Sequence, residues 1–341
     1  MSDDGQISNN EIEIAPVVSI IIPIFNRENL VKQVIDTVVQ QTFFNWELIL
    51  VDDSSTDSTV SLINEYAAKD PRIKCVINSH KKGPSGARNT GLDESTGQYI
   101  AYHDSDDEWY PHHLDTMVYY LDKYSKDIDL MSANPLRKFL ETNEVFNYDT
   151  IDLKAVPHTK VEDVCLITRS RLFGVQLKGR AITTQCMIGK ASIMKSVRWN
   201  EDLNAAVDIM HNLELCALDI GVGHIQDYHA IYWAHDDNLT NCGGGHSPAR
   251  MERVHSAFVL YWQLVLKKFE LTREQKKYAE HELAETYAWH LGYHTYEPQK
   301  KFKEALRCYL MALIVSKCEL KYLIASIKVL PKWALNSMYR Y

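Results

Sequence analysis

The chain has 341 residues, of which 45% are hydrophobic and 24% are charged, and its formal net charge is −8. A chain of this length and composition forms one large or two smaller globular domains. The acidic balance argues against a nucleic-acid-binding protein, because phosphate recognition needs a basic surface. The seven cysteines are scattered, odd in number and without a CxxC pair. This pattern favours reduced thiols in a cytosolic protein over a disulfide framework or a zinc site.

The N-terminal segment is polar and acidic. We expect residues 1–16 to form a disordered lead, and they lack the pattern of a secretory signal. No apolar run in the chain approaches the roughly 18 residues of a membrane-spanning helix.

The first part of the chain alternates apolar runs with segments of helical periodicity. Strands are predicted at Val17–Pro23, Trp46–Asp52, Arg72–Asn78 and Gln98–His103, with a helix after each of the first three. This alternation is typical of a doubly wound α/β unit, and continuous apolar strands indicate a parallel sheet buried on both faces. Ligands of such sheets bind outside the carboxyl ends of the strands. Polar clusters follow three of these strands, at 25–27, 52–55 and 104–107.

The stretch Ala101–Pro111, AYHDSDDEWYP, places Asp104, Asp106 and Asp107 directly after the fourth strand. Carboxylates this close repel one another unless a cation lies among them. Mg²⁺ in proteins typically takes one or two carboxylates together with substrate phosphates. The alternative is a solvated acidic turn, with Asp107 capping a helix that starts near Pro111. Because three polar clusters coincide at one edge of the sheet, the metal-site interpretation is favoured.

The middle of the chain has a weaker pattern. Residues 141–165 look loop-like, and Ala181–Gly189 reads as a strand. A helix is predicted over Asn204–Leu218, with Asp208 near its start, and a strand over Ala230–Ala234, directly before His235.

Beyond Ala249 the chain becomes helical. We expect Thr272 and Gln275 to form a capping box at the start of one of these helices. The last segment, Lys317–Tyr341, carries five basic residues against one acidic residue, among apolar and aromatic side chains. This composition fits either a helix lying in an anionic membrane interface or a terminal helix packed on its own protein.

Several of these segments, in this order, resemble the motifs of one known family. VSIIIPIFNR, VDDSSTDST, GPSGARNTGL, AYHDSDDEWYP and RWNEDL are similar to the motifs of the inverting nucleotide-sugar glycosyltransferases of family 2, over about residues 17–240. The resemblance implies a GT-A fold: an α/β structure with a mixed, mainly parallel sheet flanked by helices, and a Rossmann-like nucleotide-binding half. We therefore expect a domain over 17–245, divided into a nucleotide-binding half (17–133) and an acceptor half (134–245). A C-terminal helical region follows over 249–341.

The resemblance also implies roles for individual residues. The nucleotide would be bound by residues at the strand ends and at the helix start that follows, namely Pro23, Phe25, Asn26, Asp53, Arg88 and Asp104. The cofactor would be Mn²⁺ or Mg²⁺, with Asp106 as direct ligand, Asp104 as its partner and His235 as a further metal ligand or phosphate donor. Phe25 can pack on a nucleobase or lie in the core, and Arg88 can pair with phosphate or with a carboxylate.

Inverting transfer needs one general base, which takes the proton from the attacking hydroxyl. Asp208 is the candidate, although Val207 stands where the family usually has Glu, and Glu201 and Asp202 are the alternatives.

The predicted function is the transfer of a single sugar from a nucleotide sugar, by default UDP-linked, to a hydroxyl of a glycan or lipid-linked glycan, as in bacterial surface polysaccharide synthesis. The expected location is cytoplasmic, with the C-terminal helices either at the inner face of the membrane or in a homo-oligomer. A non-catalytic nucleotide-sugar or glycan-binding module is the alternative. A sugar-nucleotide pyrophosphorylase is disfavoured, because PIFNRENL after the first strand lacks the glycines of a phosphate loop.

Overall fold

The computed structural model of the protein describes residues 15–167, 172–179, 182–234 and 247–338. Within these ranges the backbone forms one mixed sheet of 11 strands. The strands are β1 Val18–Ile24, β2 Trp46–Asp52, β3 Ile73–Ile77, β4 Tyr99–Tyr102, β5 Glu108–Trp109, β6 Leu130–Phe139, β7 Val145–Asn147, β8 His158–Val161, β9 Val164–Ile167, β10 Met187–Lys190 and β11 Val222–Ala234. The order in the sheet is β3-β2-β1-β4-β10-β6-β11-β9-β8, with β5 paired to β11 and β7 to β6.

Helices cover both faces of this sheet and continue to the C-terminal end of the described chain. They are α1 Val31–Val39, α2 Thr59–Ala67, α3 Pro84–Glu94, α4 His113–Lys123, α5 Phe173–Gln176, α6 Ala191–Met194, α7 Val207–Ala217, α8 Pro248–Lys268, α9 Arg273–Glu285, α10 Phe302–Val315 and α11 Leu320–Met338. After α9 the chain winds on as a π-helix over Thr286–Tyr296.

The half of the sheet formed by β3, β2, β1 and β4 is parallel throughout. Its side chains alternate between two apolar clusters, one on each face. Ile20 and Leu48 pack into one cluster with α1 and α4, whereas Ile21 and Ile49 pack into the other with α3 and α7. The first four predicted strands are confirmed, and burial on both faces explains why they read as continuous apolar runs.

The register of these strands brings three loops to one edge. Ile24 lies opposite Asp52, and Ile21 lies opposite Tyr102. Consequently the segments that follow β1, β2 and β4 leave the sheet side by side, as expected for the ligand-binding edge of a doubly wound sheet.

The other half of the sheet differs from the sequence-based expectation in two places. The stretch 141–165 was predicted to be a loop, but it contains β7, β8 and the start of β9. The strand predicted over Ala181–Gly189 begins only at Met187, after a 3₁₀ turn at Thr184–Cys186. The strands β7 and β8 are short and mostly exposed, so pairing with their neighbours, rather than an apolar pattern, decides their conformation.

The C-terminal helices are packed against the same core as the sheet. Val259 and Val265 of α8 and Leu283 of α9 belong to the apolar cluster that contains Ile21 and Ile49. The predicted capping box is confirmed, since Thr272 and Gln275 bond to each other's backbone at the start of α9. Over the described ranges, no helix combines the length and apolar character required to cross a bilayer.

Candidate active site

The turn after β1 presents an exposed aromatic ring at the ligand-binding edge. Phe25 is 43% exposed, which rules out the core interpretation, and the Lys82 ammonium lies 4.7 Å from its ring centroid. Asn26 adopts a left-handed backbone (φ +50°), a conformation that Asn tolerates better than most residues. Its Oδ1 accepts from the Thr56 amide at 2.8 Å. Pro23 is partly exposed just before this turn.

Asn26 does not cap the helix that follows it. Helix α1 begins at Val31 without a side-chain cap, and the Asn26 side chain instead ties the β1 turn to the β2 turn. An Asn in the left-handed region satisfies a neighbouring loop more readily than a helix four residues further on.

Asp53 is buried at the end of β2 and organises the adjacent glycine loop. Its two oxygens accept from the Asn78 amide at 2.6 Å and from the Gly83 backbone amide at 2.8 Å. Gly83 has φ +128°, a conformation that strains any residue with a side chain. A carboxylate has about four acceptor positions, so Asp53 keeps capacity for a nucleobase N–H or a ribose hydroxyl.

Arg88 is buried and forms an ion pair with the partly exposed Asp104. The Arg88 Nη2 donates to Asp104 Oδ1 at 2.5 Å, and Gln185 Nε2 donates to Asp104 Oδ2 at 2.9 Å. The guanidinium also lies 4.4 Å from the ring centroid of Trp199. The sequence suggested either a phosphate or a carboxylate as the partner of Arg88, and in the structure it pairs with the Asp104 carboxylate. The contacts with Arg88 and Gln185 hold Asp104 in one orientation.

The three carboxylates after β4 lie in different surroundings. Asp106 has a side chain that is 17% exposed, with an Arg27 nitrogen 3.9 Å away. Asp107 is buried and accepts from the Trp233 backbone amide at 3.0 Å. The expectation that Asp107 caps the next helix is therefore wrong: its carboxyl faces β11, and α4 has no side-chain cap.

The electrostatics of this cluster favour a cation. Burial, together with the charges of Asp104 and Asp106, raises the pKa of Asp107 well above its ordinary value. The Asp107 Oδ2 has no hydrogen-bond partner among the described residues. Within the described part of the chain, no group of three or more His, Cys, Asp or Glu side chains could hold a metal unaided. Mg²⁺ and related ions need only one or two carboxylates when phosphates complete the coordination, so Asp104 and Asp106 fit such an ion.

Asp208 lies in the first turn of α7, which begins after a left-handed residue, Ala206 (φ +58°). Solvent reaches its carboxyl, but protein atoms surround it on most sides. This desolvation raises the pKa of Asp208; nearby Arg88 lowers it and Asp104 raises it further. A carboxylate with a raised pKa is a stronger base and suits general-base chemistry near neutral pH.

The two alternative bases are less suitable. Asn89 Nδ2 and the Lys81 amide donate to the Glu201 carboxylate at 2.7 and 3.2 Å. Burial would raise the pKa of Glu201, but these bonds and His80 outweigh it and lower the pKa. The Asp202 side chain is 84% exposed and pairs with Lys81 at 3.0 Å. His235, the third predicted metal ligand, lies outside the described residues.

Comparison with known proteins identifies the segment that carries most of these residues. The family model described as "Glycosyl transferase family 2" matches residues 19–151. This segment belongs to glycosyl transferase family 2.

Curated relatives share the same part of the chain. The UDP-Glc:alpha-D-GlcNAc-diphosphoundecaprenol beta-1,3-glucosyltransferase WfgD of Escherichia coli is 36% identical over 145 residues, covering 42% of this chain and 53% of that protein. The putative teichuronic acid biosynthesis glycosyltransferase TuaG of Bacillus subtilis (strain 168) is 33% identical over 141 residues, covering 39% and 56%. The chain thus spans about half the length of these relatives.

Solved structures of low sequence identity share the fold. S. aureus TarS 1-349 in complex with UDP-GlcNAc superposes with a TM-score of 0.60 at 16% identity, covering 95% of this chain and 91% of that chain. The mannosyltransferase PcManGT from Pyrobaculum calidifontis, in complex with GDP-Man and Mn²⁺, gives 0.53 at 16% identity, covering 96% and 88%. The predicted GT-A fold is confirmed.

Two contacts in the family 2 site were not expected from the sequence. Gln185, which orients Asp104, lies in the segment predicted as a plain strand. Trp199 was not considered as a partner of Arg88. Gln185 stands outside the quoted motifs, and Trp199 lies in RWNEDL without a role assigned from the sequence; only the folded chain brings them to the ion pair.

Proposed function

We propose that the protein is an inverting glycosyltransferase that moves one hexosyl or N-acetylhexosaminyl group from a UDP-sugar to a hydroxyl of a lipid-linked glycan, in bacterial surface polysaccharide synthesis. The observation that carries this proposal is the meeting of three features at one sheet edge: the exposed Phe25 ring, the Arg88–Asp104 pair beside Asp106, and the solvent-accessible Asp208. The relatives' names supply the donor and acceptor classes. WfgD is named for UDP-Glc and for an acceptor on diphosphoundecaprenol.

Each residue has a distinct task in the proposed reaction. Phe25 stacks on the nucleobase, and Asp53 accepts a hydrogen bond from the base or ribose. Asp104 and Asp106 would hold Mn²⁺ or Mg²⁺, which when bound offsets charge on the departing diphosphate. Asp208 accepts the proton of the acceptor hydroxyl while that oxygen attacks the anomeric carbon from the face opposite the diphosphate. The new glycosidic bond forms as the bond to the diphosphate breaks, which inverts the configuration.

The test follows nucleoside diphosphate release and product linkage with a panel of nucleotide sugars, Mn²⁺ or Mg²⁺, and extracted glycolipid. Wild-type protein should release the nucleoside diphosphate only with acceptor, and Asp106→Ala and Asp208→Asn should both lose turnover. Donor binding should persist in Asp208→Asn. Donor binding without turnover, unaffected by Asp208→Asn, would indicate a binding module. Pyrophosphate as the product would indicate a pyrophosphorylase.

We further propose that the enzyme works at the cytoplasmic face of the membrane, with α11 as its contact. This helix buries Tyr322 and Val329 against its own protein. At helical spacing on the opposite side it exposes apolar residues, namely Leu320, Leu323, Ile324, Ile327 and Leu330. Such an arrangement suits a helix lying in a lipid interface, where a lipid-linked acceptor would be found. Whether the protein also forms a homo-oligomer stays a prediction.

A further inference from the structure

The helix that carries Asp208 also carries a buried histidine, His211, one turn further on. His211 is 1% exposed, and neither of its ring nitrogens has a hydrogen-bond partner among the described residues. Burial, together with the nearby charge of Arg88, lowers the pKa of His211 to about 3, so the imidazole is uncharged near neutral pH. A buried polar ring without hydrogen bonds is unfavourable by itself, and its packing has to offset that cost.

The packing of His211 is with aromatic rings. It stacks on Trp199, with the ring centroids 3.9 Å apart and the planes inclined by 9°. Tyr102, the last residue of β4, meets both rings edge-on, at 5.0 Å from Trp199 and 5.5 Å from His211. The Asn89 side chain accepts from the Trp199 backbone N–H at 2.9 Å and donates to its carbonyl at 3.0 Å. Contacts from β4, α3 and α7 therefore fix the position of the Trp199 ring.

The Trp199 ring in turn supports Arg88. The guanidinium lies 4.4 Å from the centroid of that ring, which is a cation–π contact. Within the described residues, the only hydrogen bond of the Arg88 side chain is the one from Nη2 to Asp104, and its buried Nε has no partner. One hydrogen bond does not fix the plane of a guanidinium, so the orientation of Arg88 depends on the ring beside it.

We propose that the Trp199–His211 stack positions Arg88 and thereby ties the helix of the base to the metal site. His211 shares α7 with Asp208, and at the other end of these contacts Arg88 orients Asp104. The charge of Arg88 also acts on Asp208. One guanidinium thus acts on both carboxylates, and its position affects each of them. For the roles of Asp104 and Asp208, this inference rests on the proposed function.

The first measurement is calorimetric titration of Mn²⁺ in the presence of UDP. His211→Ala removes the ring stacked on Trp199 and should weaken Mn²⁺ binding about 10- to 100-fold, the range usual for residues that orient metal ligands. His211→Phe keeps a ring in the stack and loses no hydrogen bond, so it should bind Mn²⁺ as wild type does. Leu215→Ala opens a cavity at a fully buried leucine of the same helix and is the matched control. Its Tm should fall while its Mn²⁺ affinity stays unchanged.

Crystal structures of these variants supply a readout that needs neither donor nor turnover. Arg88 Nη2 should stay on Asp104 in His211→Phe and turn away from it in His211→Ala. Trp199→Phe and Trp199→Leu form a second pair with the same two expectations, which keeps the test decisive if a His211 variant does not fold.

Three results would overturn the inference. In the first, His211→Ala binds Mn²⁺ as tightly as wild type and Arg88 is unmoved. In the second, Leu215→Ala weakens Mn²⁺ binding as much as His211→Ala does, which assigns the effect to lost stability. In the third, His211→Phe loses Mn²⁺ affinity while Arg88 stays on Asp104, which assigns the role to the imidazole nitrogens. A wild-type protein that binds neither UDP nor Mn²⁺ would count against the proposed function, and the position of Arg88 in the variants would still decide the inference.

Discussion

At the scale of single residues, three neighbouring carboxylates are separated by their surroundings. Arg88 and Gln185 donate hydrogen bonds to Asp104 and orient it. The side chain of Asp106 is partly exposed, whereas Asp107 is buried against β11. A divalent ion needs ligands that are oriented but reachable, which Asp104 and Asp106 together supply. The family resemblance assigns the three acids different roles, but their different surroundings depend on Gln185 and Trp233, which lie far along the chain.

The pKa direction of Asp208 leads to a prediction with a kinetic and a stability side. Asp208→Asn should lower kcat about 10²- to 10⁴-fold, since the amide accepts no proton. In wild type, kcat should fall as pH drops through the pKa of Asp208, which desolvation by the surrounding protein atoms raises above the ordinary value for Asp. Rate profiles against pH for wild type and variant measure both effects.

The stability side has the opposite sign. A carboxyl whose pKa is raised in the folded state stabilises the fold at low pH, and that contribution is lost as pH rises through the folded pKa. At neutral pH the ionised Asp208 therefore lowers the free energy of unfolding, and Asp208→Asn should have a Tm equal to or above that of wild type. A variant that is both inactive and less stable would argue that Asp208 is structural.

Phe25 allows a second residue-scale prediction. Phe25→Ala should weaken UDP binding about tenfold, because one base–aromatic stack contributes about 1–3 kcal/mol. The Tm should change little, since the ring is already 43% exposed. Calorimetric titration with UDP measures the affinity. Phe44→Ala removes a ring that is 72% exposed and serves as the matched control; equal losses in both variants would contradict a stacking role.

At the scale of elements, the sequence predicts strands whose buried apolar side chains stabilise them, and it misses strands that are held mainly by backbone pairing. The strand predicted at Trp46–Asp52 is observed with the same bounds, because all seven of its residues are buried and its apolar run is unambiguous. In contrast, β7 and β8 escaped prediction, since backbone pairing holds them and their side chains are mostly exposed.

The exposed face of α11 leads to a prediction at the same scale. The double variant Ile324→Gln/Ile327→Gln should lose flotation with vesicles containing anionic lipid, because it removes two apolar residues that are 43% and 57% exposed. Its Tm should match wild type, since Tyr322 and Val329 keep the helix docked. Leu140→Gln, at an exposed apolar residue in the turn after β6, is the control. Unchanged flotation with loss of a dimer by light scattering would assign the face to a second copy instead.

At the scale of the whole molecule, the sheet and the C-terminal helices share one apolar core. The predicted domain boundary between residues 245 and 249 stays a prediction. The packing, however, indicates that the parts of the chain on either side of it fold together. Side chains of α8 such as Tyr261, Trp262 and Val265 are buried in the cluster that also holds residues of β1, β2 and α7. The C-terminal helices thus complete the apolar cluster on the face of the sheet where α7, the helix of Asp208, packs.

This shared core predicts that residues 1–246 alone do not fold. Each large apolar side chain withdrawn from the core costs about 1.5–3 kcal/mol, and removing α8 and α9 withdraws several from a fold whose total stability is about 5–15 kcal/mol. Urea titration followed by tryptophan fluorescence should show one cooperative transition for the full chain and none for the truncated one. A chain ending at 316 keeps α8, α9 and α10 and should retain a cooperative transition, at lower urea, because it loses the packing of Tyr322 and Val329 beside α10 but keeps the larger cluster. A cooperative transition for residues 1–246 would instead mean that the sheet and its own helices suffice, and that the C-terminal helices are an appendage to an autonomous domain.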